Sequence, residues 1–475
     1  MKKIYKGLMS IGLCIIMLSL GILFFRMYTS SEEKIEKQVV IEKQVEENNE
    51  EVKVKLEVKV KLEEEIIDTE NESVDTKRAY RTNIIGNNED KFTLMIYMCG
   101  SDLESEYGAA SVDIREMLES NIGENINILI ETGGTSDWTN ESISEERNQI
   151  YKIEDNELVL VKDDLGLRNM AESSTLKDFI TYSTKNYPAN RYGLIVWNHG
   201  FGTIEGFGRD ENFEGDNMEL SDMTKALEES DVFFDFIGFD ACFMSTIEVA
   251  YNLKDFSDYL IASSEIEPFA GWYYSNWITE LSNNTSISTE ELGKIIIDDF
   301  VQHNSNREIP EKAVLAITDL TEIEYVYENL CDFFTEINIE LNNKNYDKVS
   351  LARSEAKNFA DNLVDHIDAI SIAEKLNLNS SQELIESINK AVKYKSFTST
   401  MEEVGGLSIY FPYYKIDYFN EFKDAFNNLN LNDDHYRFIN EIVSDISEGK
   451  ISIIGTAREF TSEHKSKDSI ANRYN

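Results

Sequence analysis

The sequence predicts an α/β fold that is built around a mainly parallel central sheet. Strongly apolar runs of strand length recur from about residue 90, and the first of them is Phe92-Thr-Leu-Met-Ile-Tyr-Met. Between most of these runs lie segments in which apolar residues return every three or four positions, as in an amphipathic helix. Such alternation is typical of parallel strands that are joined by crossover helices. The 41% of hydrophobic residues is enough for a substantial core.

The predicted elements follow one another in chain order. Apolar runs predict strands at residues 92–98, 126–132, 193–198, 233–239 and 259–264, with a hairpin at residues 149–162. Helical periodicity predicts helices at residues 113–120, 176–185, 221–230 and 245–253. Residues 201–220 are predicted to be a loop, and residues 287–398 a mostly helical region. A strand at residues 404–412 and a helix at residues 434–448 complete the predicted domain.

The chain divides into four segments by composition. Residues 1–30 carry lysines before an uncharged apolar run at residues 7–25, which predicts an uncleaved signal anchor in the cell membrane with the rest of the chain exported. A cleaved signal, which would give a secreted protein, is the alternative. Residues 31–82 are highly charged and crudely repetitive, which predicts a stalk. Residues 83–455 form the predicted globular domain, and residues 456–475 a polar tail.

The chain is strongly acidic. It has 89 Asp and Glu residues against 45 Lys and Arg residues, and its formal net charge is −44. Such a charge would repel phosphate groups, so the sequence argues against nucleic acid as a partner. The same charge is compatible with basic substrates, with divalent cations or with a solvated acidic surface.

The cysteines form no pattern that indicates a metal site. One of the four lies in the N-terminal apolar run, and Cys99, Cys242 and Cys331 remain, without CxxC pairs or zinc-ligand spacing. At least one thiol is therefore expected to stay free, and a disulfide between Cys99 and Cys331 is left open. The sequence requires no cofactor.

His199 and Cys242 each come just after a strongly apolar, strand-like run. Because the carboxyl ends of parallel strands meet at one edge of an α/β sheet, this imidazole and this thiol are expected to lie close together. Such a pair can act as base and nucleophile in covalent catalysis. The backbone N–H groups of Gly200 and Cys242 are candidate donors to the oxyanion that forms during the attack.

Several segments of the chain together resemble one enzyme family. They are Tyr97-Met-Cys-Gly-Ser-Asp-Leu-Glu104, Val196-Trp-Asn-His-Gly200, Ile237-Gly-Phe-Asp-Ala-Cys-Phe-Met244, Glu248-Val-Ala-Tyr251, and Ile261-Ala-Ser-Ser-Glu-Ile-Glu-Pro268 with Gly271-Trp272. In this order they resemble the clostripain family of cysteine peptidases, in the clan that includes caspases, gingipains and legumains. The resemblance implies a caspase-like α/β/α sandwich with helical additions. It also implies a Cys242–His199 dyad and cleavage of peptide bonds after Arg or Lys.

The resemblance further implies which residues bind the substrate. Asp240 matches an acid of the family's specificity pocket, where it would pair with a basic side chain. Its alternative role is to cap the helix that follows. Glu265, Glu267 and Trp272 lie in the next matching segment and are further substrate-binding candidates.

Two positions depart from the family pattern. Tyr273 stands where many relatives carry an acid, which puts strict specificity for arginine in doubt. Cys99 stands where relatives often have a small or polar residue, so a spare thiol is expected near the active edge of the sheet.

Members of the family are often activated by self-cleavage between the histidine strand and the cysteine strand. In this chain that segment carries one basic residue, Arg209, after which cleavage is predicted. After cleavage the two chains are expected to stay associated. Without cleavage the protein is expected to be a monomer. Some relatives depend on calcium, for which Asp210, Glu214 and Asp216 are candidate ligands, although their spacing is not that of an EF-hand.

Two other functions remain as alternatives. The chain could be a surface binding or scaffold protein that keeps the fold without catalysis. Alternatively, the charged stalk could be the functional part and gather cations or basic partners. The remaining histidines lack a motif and are expected to be surface or capping groups: His303, His366, His435 and His464.

Overall fold

The structure is a computed structural model that describes residues 79–306 and 311–456. The predicted signal anchor, nearly all of the stalk and nearly all of the tail lie outside these residues. Within the described ranges, no helix is long and apolar enough to cross a membrane.

The strands are numbered in chain order: β1 Phe92–Cys99, β2 Ile126–Gly133, β3 Gln149–Glu154, β4 Glu157–Lys162, β5 Arg191–Trp197, β6 Gly200–Phe201, β7 Gly206–Asp210, β8 Asp216–Met218, β9 Phe234–Asp240, β10 Ser257–Ala262, β11 Val314–Asp319, β12 His366–Asp368, β13 Val392–Phe397 and β14 Ser408–Tyr410. The helices are numbered likewise: α1 Ser101–Ser105, α2 Ala109–Leu118, α3 Ser173–Asn186, α4 Gly202–Glu205, α5 Leu220–Ser230, α6 Ile247–Leu253, α7 Tyr274–Asn283, α8 Thr289–Ser305, α9 Ile323–Asn342, α10 Tyr346–Glu355, α11 Ala369–Leu376, α12 Ser381–Ala391, α13 Ile416–Glu421, α14 Lys423–Asn427 and α15 Asp433–Ser447.

The described residues contain a nine-stranded sheet with the strand order β13-β11-β10-β9-β5-β1-β2-β3-β4. Its central strands, from β10 to β2, run parallel to one another. Antiparallel strands flank them, with β3 and β4 on one side and β11 and β13 on the other. The α/β fold with a large, mainly parallel central sheet is therefore confirmed.

Both faces of the sheet are covered by helices, which explains the unbroken apolar runs of the central strands. Every residue of β1 is buried, and its side chains alternate between two cores. Met95 and Tyr97 pack in the core beneath α3, α5, α6 and α9. Leu94 and Ile96 pack in the core beneath α2, α7 and α8. The parallel strands therefore all deliver their carboxyl ends to the same edge of a rigid sheet.

Two segments differ from the sequence prediction. Residues 287–398 are helical for the most part, yet they also supply β11 and β13, which extend the central sheet, and β12, which pairs with β14. Residues 201–220 are not a loop, because they contain α4 and the small sheet β6-β7-β8. Short strands between helices were missed because runs of this length fit either structure when read alone.

The prediction that His366 and His435 are surface or capping groups is wrong. Both imidazoles are buried, His366 on β12 and His435 at the start of α15. Burial lowers the pKa of each to about 3, so both rings are neutral at physiological pH. The ring of His303 stacks on that of Tyr273, while His464 lies outside the described residues.

Candidate active site

Strands β5 and β9 are parallel neighbours in the middle of the sheet, with Trp197 opposite Asp240. Both strands end at this register. The chain therefore brings His199 and Cys242 out of the sheet at the same edge, as the sequence predicts for side chains that follow parallel strands.

The backbones that follow the two strands are in direct contact. A Cβ atom built on Gly200 would stand 2.0 Å from the carbonyl oxygen of Cys242 and 2.9 Å from its backbone nitrogen. Only glycine fits at such a separation, since real Cβ atoms do not approach other heavy atoms so closely. The two residues predicted to form the oxyanion hole are thus adjacent in space, and their role as donors stays a prediction.

Asn198 fixes the start of the histidine segment. Its side-chain oxygen accepts a hydrogen bond from the backbone N–H of His199 at 2.5 Å. Its side-chain nitrogen donates to the carbonyl oxygen of Cys99 at the end of β1. One amide therefore ties the histidine segment to the neighbouring strand of the sheet.

The Cys242 thiol is half-buried and is hydrogen-bonded to the backbone. The N–H group of Glu267 donates to its sulfur atom at 3.3 Å. Burial raises the pKa of the thiol to about 11, so the resting side chain is protonated at neutral pH. In the described part of the chain, no hydrogen bond joins this thiol to the His199 ring.

The residue after the thiol has an unusual backbone conformation. Phe243 has φ 63°, in the left-handed region that a bulky side chain rarely adopts. Its N–H group donates to the carbonyl oxygen of Glu265, and its ring packs near that of His366. This turn presents Cys242 at the sheet edge, and such local strain is common at functional sites.

The His199 ring has a carboxylate partner that the sequence analysis did not identify. Its Nε2 atom lies 2.8 Å from Oδ1 of Asp102. Asp102 lies between β1 and α2, in one of the segments that resemble the family. The resemblance gave that segment no catalytic role. The hydrogen bond to His199 holds the pKa of Asp102 below its usual value, so this side chain stays charged.

Beside the thiol lies a group of carboxyl side chains that we call the acidic cluster, made of Asp113, Glu116, Asp240 and Glu267. Asp240 is buried and accepts hydrogen bonds from the Tyr274 hydroxyl at 2.8 Å and from the Trp272 N–H group at 3.3 Å. Burial raises its pKa to about 6. Burial and the nearby Asp240 carboxyl raise the pKa of Glu267 further.

Two members of the acidic cluster come from α2, more than a hundred residues earlier than Asp240. Asp113 accepts a hydrogen bond from the indole N–H of Trp197 at 2.7 Å, and burial and Asp240 raise its pKa. Glu116 accepts from the backbone N–H of Tyr274 at 3.0 Å, and burial raises its pKa to about 7. Sequence reasoning missed both, because neither carries a motif.

No Lys or Arg within residues 79–306 and 311–456 forms an ion pair or hydrogen bond with the acidic cluster. In addition, the buried Oε1 atom of Glu267 has no hydrogen-bond partner in the same residues. The acidic cluster therefore has no cation of its own among the described residues.

Known proteins resemble this chain in sequence and in fold. The sequence profile of the Clostripain family matches residues 96–445, which is most of the chain. The chain belongs to the clostripain family. The family resemblance predicted from the sequence segments is thereby confirmed.

Individual relatives in the clostripain family are distant. Clostripain from Hathewaya histolytica is 25% identical over 307 residues, which are 55% of this chain and 57% of that protein. The chain thus matches little more than half the length of this relative. An inactive zymogen C11 protease from Parabacteroides distasonis has 23% identity and a TM-score of 0.56, with 74% of this chain and 98% of that one covered.

The chain is also similar in structure to a secreted C11 cysteine protease from Bacteroides thetaiotaomicron, which was solved in complex with an irreversible peptide inhibitor. Its identity is 19% and its TM-score is 0.55, and the match covers 72% of this chain and 99% of that one. At these identities the two solved structures show that the fold is shared.

Two other predicted substrate-binding residues of this clostripain-family chain, Trp272 and Glu265, are both buried. Trp272 is fully buried, with its ring against Gly238. The Glu265 carboxylate is also buried, where it accepts hydrogen bonds from the backbone N–H groups of Ile266 and Ala360. Both side chains therefore support the walls of the site, and a direct contact with substrate stays a prediction.

The predicted cleavage residue Arg209 lies on β7. Its side chain is exposed, and its guanidinium group stands 5.3 Å from the centre of the Phe201 ring. The next residue, Asp210, is buried, and its carboxylate accepts hydrogen bonds from the N–H groups of Met170 and Asn212. The basic side chain is thus accessible, whereas the bond that follows it is held in a strand.

The predicted calcium ligands do not form a compact site. The described residues contain no group of three or more His, Cys, Asp or Glu side chains arranged to hold a metal ion. Asp210 is engaged by backbone N–H groups, and Asp216 accepts from the Asn169 side chain. Dependence on calcium stays a prediction.

The unusual thiol at position 99 is buried and inaccessible. Cys99 lies at the end of β1 and is 2% exposed, and burial raises its pKa well above the usual value. Cys99, Cys242 and Cys331 are all free in the described residues, so Cys99 and Cys331 do not form a disulfide. Of these thiols, Cys242 alone is not fully buried.

Proposed function

We propose that this chain is a cysteine endopeptidase that hydrolyses peptide bonds after arginine or lysine. The observation that carries the proposal is the acidic cluster beside the Cys242 thiol, which has no cation of its own within the described residues. Burying carboxyl groups without a counter-charge is costly. A substrate side chain with a positive charge would provide that counter-charge, with the scissile carbonyl then next to the thiol.

Catalysis would begin with attack by the Cys242 sulfur on the carbonyl carbon that follows the basic residue. Because the pKa of the thiol is about 11, its proton must be removed during the attack. His199 accepts this proton and donates it to the nitrogen of the leaving amine as the C–N bond breaks. The product is a thioester between the enzyme and the amino-terminal part of the substrate.

Water then completes the cycle. It attacks the thioester carbonyl carbon and loses a proton to His199, and the C–S bond breaks as the proton passes to the sulfur atom. In both steps the carbonyl oxygen becomes negatively charged. The backbone N–H groups of Gly200 and Cys242 are close enough in space to serve together as donors to it.

Self-cleavage after Arg209 is part of the same proposal. The residue is basic and its side chain is exposed, which suits the specificity proposed for the acidic cluster. Because Asp210 is held by backbone N–H groups, the segment must open before the bond can enter an active site. Arg209→Ala should abolish the two fragments while leaving the cleavage of small peptides measurable. The same fragments and full maturation in Arg209→Ala would contradict this part.

The apolar run at residues 7–25 supports an anchored, exported enzyme that acts on proteins or peptides with basic residues. The anchor is tested by measuring how the full chain divides between the membrane and soluble fractions of cells that produce it. Recovery of the intact chain from the soluble fraction alone would contradict the anchor.

The central test uses paired fluorogenic peptides that end in Arg, Lys, Asp or Leu. The full chain should cleave after Arg or Lys, and Cys242→Ala should lose this activity completely. Cys331→Ala is the matched control, since it removes a buried thiol elsewhere in the fold. No cleavage of any peptide, and no labelling of Cys242 by a thiol-directed substrate mimic, would favour a scaffold that only keeps the fold.

A further inference from the structure

We propose that Asp102 is a positioning residue that holds the His199 ring for catalysis, so that the site works as a group of three side chains. This inference rests on the proposed peptidase function, and it concerns a residue that the dyad does not include. The contact that carries it is the 2.8 Å distance between Nε2 of His199 and Oδ1 of Asp102.

The contact selects one state of the imidazole. A carboxylate accepts hydrogen bonds and cannot donate, so the proton of the neutral ring must sit on Nε2. Nδ1 is then the atom that can accept the thiol proton. Within the described residues, no side chain occupies Nδ1 with a hydrogen bond, so this atom remains open to substrate and thiol.

The backbone around Asp102 is built to hold it in place. The preceding residue, Ser101, is buried and has φ 50°, in the left-handed region that is strained for residues other than glycine. Its N–H group donates to the Gly134 carbonyl at 3.0 Å, and its own carbonyl accepts from the Thr135 hydroxyl at 2.9 Å. The first turn of α1 is therefore fixed between β1 and the segment after β2.

The far end of α1 is fixed as well. The buried Glu104 carboxylate accepts hydrogen bonds from the N–H and hydroxyl groups of Ser111 at 2.9 and 2.6 Å, and from the N–H group of Thr139 at 2.7 Å. Asp102 thus projects from a short, rigid turn. A base that is oriented by a third group is a recurring arrangement in nucleophilic catalysis.

The charge of Asp102 serves the reaction in a second way. When His199 takes the thiol proton it becomes positively charged, and a carboxylate at 2.8 Å stabilises that state. The same hydrogen bond lowers the pKa of the Asp102 carboxyl group, so this partner is charged at neutral pH. The contact remains partly open to solvent, so its main contribution is orientation rather than ion-pair energy.

The contact between Asp102 and His199 could also inhibit catalysis, and an experiment distinguishes this role from a positioning role. Because no hydrogen bond joins His199 to the Cys242 thiol, Asp102 would be inhibitory if it held the ring away from the sulfur. A positioning role predicts that removing the carboxylate lowers activity. An inhibitory role predicts that it raises activity.

The test compares Asp102→Asn and Asp102→Ala with the wild-type chain on an Arg peptide. We expect kcat to fall by about 10- to 100-fold with KM changed less than about threefold, because a misplaced catalytic group costs rate rather than binding. Asp102→Glu should recover part of the loss. Glu106→Gln is the matched control, since it removes an exposed carboxylate just after the same helix and should keep full activity.

A second readout does not need peptidase activity. In the full chain with ¹⁵N-labelled histidine, the five imidazole rings give signals that report which nitrogen carries the proton. The His199 signal, assigned with His199→Gln, should show a proton on Nε2, and Asp102→Ala should shift it toward a mixture of tautomers. Unchanged tautomer and unchanged kcat in both variants, or increased activity, would overturn the proposal. An inactive wild-type chain with the expected tautomer shift would instead count against the peptidase function alone.

Discussion

Replacing Asp240 by asparagine tests the proposed specificity most directly. This substitution keeps the shape of the side chain and removes one negative charge from the centre of the acidic cluster. Asp240 is 5% exposed and lies between Glu267 and the residues of α2. A substrate guanidinium in the same site would therefore pair with a carboxylate that is shielded from water.

The expected magnitude follows from this burial. Removing one partner of a buried charge pair costs about 3–5 kcal/mol. We expect the lower end, because the loss of Asp240 also removes the repulsion that raises the pKa of Glu267. Glu267 then ionises more easily and pairs partly with the substrate. A loss of about 3 kcal/mol is roughly a 100-fold fall in kcat/KM for an Arg peptide.

The assay measures kcat/KM of the full chain on peptides that end in Arg or Leu, with thermal unfolding as a check of the fold. Asp240→Asn combined with Glu267→Gln should reduce cleavage after Arg further than Asp240→Asn alone. Glu119→Gln, which removes an exposed charge next to the acidic cluster, should have little effect. If Asp240→Asn cleaves the Arg peptide within twofold of wild type, the acidic cluster does not determine the specificity.

The pH dependence of KM should follow the ionisation of Asp240, whose pKa is about 6. Because this carboxyl group is ionised above pH 6 and neutral below it, KM for an Arg peptide should rise as pH falls from 7 to 5. A KM that stays constant over this range would contradict the assignment. Since raised carboxyl pKa values mean that the folded chain binds more protons than the unfolded chain between pH 4 and 7, stability should fall as pH rises, which the melting temperature at pH 5.5 and 7.5 would check. Gly200→Ala should lower kcat at least about 100-fold because its Cβ meets the Cys242 backbone, whereas Gly123→Ala, at an exposed position, should not. Arg191→Leu should lower the free energy of unfolding by about 3–5 kcal/mol in urea, because it leaves the buried Asp235 carboxylate without its 2.5 Å partner; a loss below 1 kcal/mol would refute this.

Much of the fold could be predicted from the sequence because its central strands are buried on both faces. Burial on two sides requires an unbroken apolar run. The strands β1, β5 and β9 could therefore be predicted from their sequences alone. The strands at the sheet edges carry a weaker signal. β13 is half-buried throughout and carries two lysines, and it directly follows the helix α12, so the region around it was assigned to helix.

By itself the sequence determined the family, the central strands in their order along the chain, and the two side chains that follow parallel strands at one edge of the sheet, His199 and Cys242. Each of these depends on local features, namely an apolar run and the residue that follows it. The tertiary structure alone decided the contact between Asp102 and His199, and the convergence of Asp113 and Glu116 on Asp240. These residues are about a hundred positions apart, and an acidic residue on a helix or turn looks the same in sequence whether it faces water or a catalytic group. Only packing, which buries the carboxyl groups and brings them within reach of one another, gives them their role.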